Sequence, residues 1–267
     1  MADYSVPNSL AEEPFWPEML SSIQQSWRND RHDIKRFCKD REIRWLYHFT
    51  TATNLKSLFD HGIMSRNLLA KKALSYQRID GTSKLYFEDF NYLSISSPNT
   101  KMLYRKFAIE KVWVALLVLD VKLLWKLPFF SIPMNSAKWQ MRHLINHEYS
   151  RFLGLAGLQT LFTNPAIREK CKVPKSEPTD VQSELIFLDT IPSSYFRHVL
   201  LTPIEKTSSD FLSVANEFGF FASGTTSKYE WKWLALDEIR TWDPKFSPSA
   251  QECYNLRNWT EDWDING

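Results

Sequence analysis

Eight consecutive apolar residues, Val112 to Leu119, constrain the fold more than any other stretch of the chain. A strand with one wet face alternates apolar and polar residues, and a surface helix shows a 3.6-residue period; this run does neither. It reads as a central strand buried on both faces, which requires strands at both edges and helices against the sheet. Asp120 and Lys122 interrupt the longer apolar stretch 112–125, which is too short to cross a bilayer, so no membrane partner is expected.

The rest of the composition narrows the class. The 267 residues are 43% hydrophobic and 24% charged, which excludes a disordered or fibrous chain. Glycine occurs only 7 times, and neither GxGxxG nor GxxxxGK[ST] is present, which removes Rossmann and P-loop chemistry. Cys38, Cys171 and Cys253 lie far apart with no CxxC pair, the usage of a reducing compartment. The first residues, MADYSVPNSLAEEP, lack the basic start and apolar run of a signal peptide, so a cytoplasmic location is expected.

Net charge is +2, but from Glu205 onward six Lys/Arg face eleven Asp/Glu, so the first 204 residues are basic and the tail acidic. Such a body suits a polyanionic partner, or is simply a solvated surface. A helix is expected over 18–41 after Pro14 and Pro17, with a basic cluster along it (Arg28, Arg31, Lys35, Arg36, Lys39, Arg41) that continues to Arg44. Strands are expected at 44–49, 92–96, 112–119, 183–188 and 196–201. Helices are expected at 54–61, N-capped by Thr53 and closed by Gly62, and at 149–162, with a helix or turn at 99–107. Residues 71–91 and 164–180 read as long polar loops. The division is a helical extension (1–44), a core (45–204) and an acidic, Trp-containing extension packed on the core (205–267).

Two residues stand out chemically. His48 lies between Tyr47 and Phe49, where a histidine is either a packed core residue or a site ligand. Glu184 opens an apolar strand after a long polar loop, as a strand-edge charge or as an acid presented at a cleft rim. His143 and His147 stand at i, i+4 but lack an HExxH frame and a third ligand, so no metal is expected.

The order of the motifs says more. Tyr47-His48-Phe49-Thr50 precedes Asn54-Leu55, Leu58 and Gly62-Ile63-Met64-Ser65-Arg66. Next come Arg78-Ile79-Asp80-Gly81, Leu93-Ser94-Ile95-Ser96-Ser97-Pro98-Asn99 and Lys101-Met102-Leu103-Tyr104. Pro178-Thr179-Asp180-Val181-Gln182-Ser183-Glu184-Leu185-Ile186-Phe187 follows, ahead of Ile191-Pro192. Over about residues 45–201 this succession resembles the DarT family of DNA ADP-ribosyltransferases, toxins of toxin–antitoxin systems.

That resemblance implies an α+β fold, an ADP-ribosyltransferase-like domain with a mixed, strongly twisted sheet of short strands flanked by helices. It implies NAD as a consumed co-substrate, no metal, single-stranded DNA as acceptor, and a cognate antitoxin that reverses the modification or inhibits the toxin. A monomer is expected. His48 and Thr50 match positions that grip the nicotinamide end of NAD. Asn54 and the turn from Gly62 to Arg66 match the segment that seats the adenosine and phosphates. Tyr104 matches the aromatic that stacks on nicotinamide, Arg78 the arginine that assists deprotonation of the target base, and Glu184 the catalytic glutamate. The loop 164–183 corresponds to the substrate-recognition loop, with Lys170, Lys172 and Lys175 as phosphate contacts.

The chemistry fits these residue types. Cleaving the glycosidic bond of NAD makes an oxocarbenium-like ribose, which a carboxylate in a dry pocket stabilises. Arginine stays protonated, so Arg78 would stabilise a deprotonated base rather than act as a free base. Before Met-Leu-Tyr, the thymidine-modifying branch carries a basic, aromatic block ending in Pro-Arg-Ser. Here Ser97-Pro98-Asn99-Thr100-Lys101 stands closer to the guanosine-modifying branch. Two alternatives stay open: a transferase acting on RNA or protein, and a nucleic-acid-binding protein without catalysis, which would have no need of Glu184.

Overall fold

A computed structural model describes residues 15–77, 88–99, 106, 110, 112–136, 148–201, 224–225 and 230–233, with backbone alone for 15–17 and for the last two segments. The apolar run forms β3 (Val114–Asp120), and all seven of its residues are buried. It lies between β1 (Trp45–Thr51), paired antiparallel over seven residues, and β6 (Phe196–Leu201), also antiparallel. On the far side of β1 come β2 (Asn91–Ile95), β5 (Glu184–Phe187) and β4 (Phe129–Ile132), all antiparallel. Beyond β6, β8 (Glu230–Trp233) pairs parallel to it and β7 (Gly224–Thr225) antiparallel to β8. The order β4-β5-β2-β1-β3-β6-β8-β7 is a mixed sheet of short strands, and with its helices the protein is α+β, as expected.

Helix α1 (Phe15–Asp40) buries Met19, Ile23, Ile34 and Cys38. Its second half joins one core with Leu46, Leu93, Leu117, Leu185 and Phe187, and its first half joins a second with Phe130, Ile132, Phe152 and Ile186. Burying each such large side chain contributes about 1.5–3 kcal/mol. The indole Nε1 of Trp27 donates to the carbonyl of Leu124 at 3.0 Å, tying α1 to the 3-10 turn Val121–Trp125 that follows β3. Asp120 caps that turn through the Lys122 N–H and accepts from Arg197 of β6 at 2.8 Å.

Several local expectations are corrected. The first helix begins at Phe15, because Pro17 falls in the first turn, where its missing N–H costs nothing. β1 runs on through Thr50 and Thr51, β-branched residues that pair with Ala115 and Val114. Helix α2 is Leu55–His61 after a 3-10 turn. Thr53 does not cap it, since its hydroxyl donates to Gln77 Oε1 at 2.7 Å. Helix α3 (Arg66–Lys71) and strand β4 had no counterpart in the sequence reading.

The span 149–162 is not one helix. A 3-10 turn (Tyr149–Phe152) and α4 (Gly154–Thr160) are separated by extended Leu153, which bridges to Phe130. Gly154 has φ +53, and a Cβ there would lie 2.2 Å from Asp30 Oδ2. Helix α5 (Pro165–Lys170) interrupts the expected loop 164–180. The Asn164 side chain caps it at the Ile167 N–H and Pro165 occupies its first turn.

Candidate functional site

β1 keeps its ladder to β3 for seven pairs but pairs with β2 only at Leu46↔Ile95 and Tyr47↔Ser94. The two strands part at the next residue, His48. Its Nδ1 lies 3.0 Å from the carbonyl oxygen of Tyr92, a group the ladder no longer serves. A carbonyl only accepts, so Nδ1 is the donor, and in the neutral ring Nε2 is the acceptor nitrogen.

Glu184 opens β5 on the other side of β2. Since Leu185 pairs with Leu93, Glu184 stands level with Ser94, about 10 Å (two strand spacings) from β1. Its Oε2 accepts the backbone N–H of Ser136 at 2.8 Å, a charge-assisted bond that fixes the half-buried carboxylate. Tyr92 connects the two sides. Burial first, then the negative charge of Glu184, holds its phenol well above the ordinary range; Arg66 opposes this and Glu88 adds to it. Tyr92, Glu184, Arg66 and Glu88 therefore share one locus, in which the phenol stays a neutral donor. Arg66 Nη1 stands 3.7 Å from Glu88 Oε1. Arg66 Nη1 and the hydroxyl of buried Ser136 are buried polar atoms without a hydrogen-bond partner among the described residues.

Thr50 and Asn54 form a second cluster at the end of β1. Asn54 Nδ2 donates to Thr50 Oγ1 and to the carbonyl of Gln77, both at 2.8 Å, and its Oδ1 accepts the Gln77 N–H at 2.8 Å. Both amide hydrogens are spent on a clamp that fixes Gln77, the residue before Arg78. Gly62 has φ +80, and a Cβ there would sit 2.3 Å from the Ile191 carbonyl oxygen. Ile63 and Ile191 exchange backbone hydrogen bonds at 2.9 Å, so this glycine lets the turn before Arg66 reach the segment after β5.

The approach to Glu184 is braced. Arg168 of α5 donates from Nη1 to the Glu177 carbonyl at 2.8 Å and from Nη2 to the Pro174 carbonyl at 2.9 Å, with its guanidinium over Phe162. Arg41, at the end of α1, covers the same ring, 4.7 Å from its centroid, and reaches the Lys175 carbonyl at 3.5 Å. Thr179 donates through its hydroxyl to the Thr163 carbonyl and through its N–H to Leu161. Buried Asp180 accepts the Gln182 N–H, and Ser183 Oγ donates to the Pro133 carbonyl at 3.0 Å. Lys170, Lys172 and Lys175 are exposed on this loop. Tyr47 is also raised, by burial and then by the charge of Glu177, which places the loop near β1.

Solved DarT structures resemble the chain. Thermosipho africanus DarTG in complex with ADP-ribose aligns at 12% identity and TM-score 0.45, over 70% of this chain and 49% of that one, so this chain spans about half of its length. Thermus sp. 2.9 DarT in complex with NAD+ aligns at 13% identity and TM-score 0.41, over 73% of this chain and 96% of that one. Thermus sp. 2.9 DarT in complex with ADP-ribosylated ssDNA aligns at 16% identity and TM-score 0.39, over 70% and 93%. At these values the likeness assigns no role to any residue. No family model matches the chain, and neither does any curated protein.

Among the residues singled out in sequence, the structure gathers His48 and Glu184 around β2, with Arg66 beside Tyr92, and Thr50 with Asn54 at Gln77. Arg78, Tyr104, His143 and His147 lie outside the described residues. Among the described residues no helix is long and apolar enough to cross a membrane, and no group of three metal-ligating side chains occurs. Sequence reasoning missed Tyr92, Ser136, Gln77 and Arg168. Tyr92 had a signal, since it stands on the half-buried side of the alternating strand 92–96, whereas the other three had none.

Proposed function

We propose that this protein is an NAD-dependent ADP-ribosyltransferase that modifies a base in single-stranded DNA. The observation that carries the reading is Glu184, held by the Ser136 N–H across β2 from His48 and linked to it through Tyr92. NAD fits this locus as a consumed substrate. Arg66 Nη1 is suited to a phosphate oxygen, and the Ser136 hydroxyl and His48 Nε2 to ribose or carboxamide groups.

In the reaction the bond between ribose C1′ and the nicotinamide nitrogen breaks, and nicotinamide leaves with the electron pair. The Glu184 carboxylate stabilises the positive charge on the ribose. A base nitrogen attacks C1′, and its proton passes to Glu184 or to water. Arg78, by its cationic character, stabilises the deprotonated base, and Tyr104 stacks on nicotinamide. Asn54 and Gly62 shape the NAD-binding segment from within, while Thr50 lies beside it. Lys170, Lys172 and Lys175 contact phosphates, and the braced loop before Glu184 presents the strand.

Guanine is the proposed target, supported by the block Ser97-Pro98-Asn99-Thr100-Lys101. A toxin role with a cognate antitoxin follows from the same family resemblance. The test is incubation with NAD and single-stranded oligonucleotides each lacking one base, read by mass spectrometry. An adduct lost only when guanine is omitted is expected. Loss only without thymine overturns the base assignment. NAD consumption with no DNA adduct moves the acceptor to RNA or protein.

A further inference from the structure

A second feature lies away from this locus. Arg31, His32 and Lys35 of α1, with Trp125 at the end of the 3-10 turn and Lys126 after it, line a recess of about 310 Å³. Lys126 leads into β4, which pairs Phe129 with Phe187, the end of β5 remote from Glu184. The recess therefore opens at the opposite end of these strands from the Glu184 carboxylate.

Its charge is not compensated by any ion pair among the described residues. Arg28, Arg31, Lys35 and Lys39 are exposed. They recur every three or four residues on one face of α1, over about 16 Å. None of them, nor Lys126, forms an ion pair with a described residue. Three acids of α1 and the adjoining turn are committed elsewhere: Asp33 to Arg36 at 2.8 Å, Asp30 to the Leu155 N–H, Asp120 to Arg197. Trp125 is half-buried, packing one side on the core while another lines the recess. The Trp27–Leu124 hydrogen bond fixes the turn that carries it.

A concave cationic surface with one aromatic wall matches a phosphodiester chain with a stacked base, because cations follow the backbone and any base offers a π-face. An acidic protein surface would have no use for the indole. A lipid surface would meet a protruding apolar rim, not a recess. The stripe also extends about one helical turn beyond the recess at each end, to Arg28 and Lys39, which offers cations to more than one phosphate.

We propose that the recess and the α1 stripe form a second binding site for single-stranded nucleic acid, separate from the reactive locus. Such a site would hold the strand while a base occupies the first one. It goes beyond the transfer reaction and is measured without NAD, so it stands or falls independently of that reading.

The test is fluorescence anisotropy of the full chain with a labelled oligothymidylate across a salt series. Combined Arg31→Gln, Lys35→Gln and Lys126→Gln changes are expected to weaken binding and to flatten the slope of log K against log salt by about 2, at roughly 0.7 per lost phosphate contact. Trp125→Leu, which keeps apolar packing, is expected to weaken binding roughly 5- to 150-fold, and Trp125→Phe to retain most of it. Unchanged affinity and slope in the triple variant would overturn the proposal. So would a silent Trp125→Leu with equal losses on heparin, the mark of a diffuse basic face. Loss of binding to phosphatidylserine vesicles with oligonucleotide binding intact would assign the patch to a lipid surface instead.

Discussion

The His48 imidazole and the Tyr92 carbonyl meet at 3.0 Å where β1 leaves β2, and the phenol of the same tyrosine lies under the charge of Glu184. One β2 residue thus sets the tautomer of the histidine on one neighbouring strand and faces the carboxylate on the other. His48→Ala removes both the backbone tie and the acceptor nitrogen. It is expected to raise the KM for NAD roughly tenfold and to lower stability by about 0.5–1.5 kcal/mol, the cost of the lost tie to Tyr92. Steady-state kinetics beside thermal melts check this, and an unchanged KM would remove His48 from the site.

Glu184→Gln keeps an acceptor for the Ser136 N–H and removes only the charge. Transfer is expected to fall about 100- to 1,000-fold, the scale of losing one transition-state electrostatic contact, while circular dichroism stays native. Ser136→Ala deletes a buried hydroxyl that has no partner among the described residues and leaves the backbone N–H in place. It is expected to weaken NAD binding without lowering the melting temperature. A fall in stability with NAD affinity unchanged would make the hydroxyl structural.

The Asn54 clamp makes an isosteric change and a truncation comparably harmful. Asn54→Asp can still accept the Gln77 N–H, but it sets a carboxylate against the Gln77 carbonyl, 2.8 Å from the present nitrogen. It is expected to reduce activity at least as much as Asn54→Ala, with each losing about 1–3 kcal/mol of stability from the missing hydrogen bonds. Chemical denaturation of both variants decides it, and a benign Asn54→Asp would contradict the clamp.

Arg168→Lys leaves a cation but cannot serve the Glu177 and Pro174 carbonyls from one planar group. Limited proteolysis between residues 171 and 183 is expected to accelerate roughly tenfold as local opening becomes easier. Transfer to DNA should fall more than affinity for NAD. Equal losses in both would mean that the brace supports the whole fold rather than the acceptor side.

Burial pushes the Cys38 thiol up to about 12 from an ordinary 9.0. The folded state therefore holds its proton where the unfolded chain releases it. The thiol's contribution is complete below about pH 9 and declines towards pH 12, by about 1.4 kcal/mol per pH unit. Urea unfolding at pH 8 and pH 10 is expected to show about 1.4 kcal/mol more loss in the native chain than in Cys38→Val. Equal losses would contradict the burial.

The parts of the fold legible in sequence are those whose signal is local. The run 112–119 became β3, the alternation at 92–96 became β2, and Gly62 closed α2 with a positive φ. Strand β4 is four residues long and fully buried, too short to show a period. The helix expected over 149–162 broke because Gly154 packs against Asp30 of α1, a contact no local pattern encodes. The same divide runs through the candidate site. Glu184 was visible as an acid opening an apolar strand. Its partner Ser136 lies 48 residues away and is brought to it by the Ile132↔Glu184 pairing of β4 with β5.

On the proposed mechanism Glu184 drives transfer of ADP-ribose to a DNA base. Nicotinamide release and oligonucleotide adduct, followed together by liquid chromatography and mass spectrometry for the native chain and Glu184→Gln, test that role. Equal amounts of nicotinamide and adduct are expected from the native chain, with both nearly abolished in the variant. Nicotinamide release without adduct, or full transfer by Glu184→Gln, would contradict it.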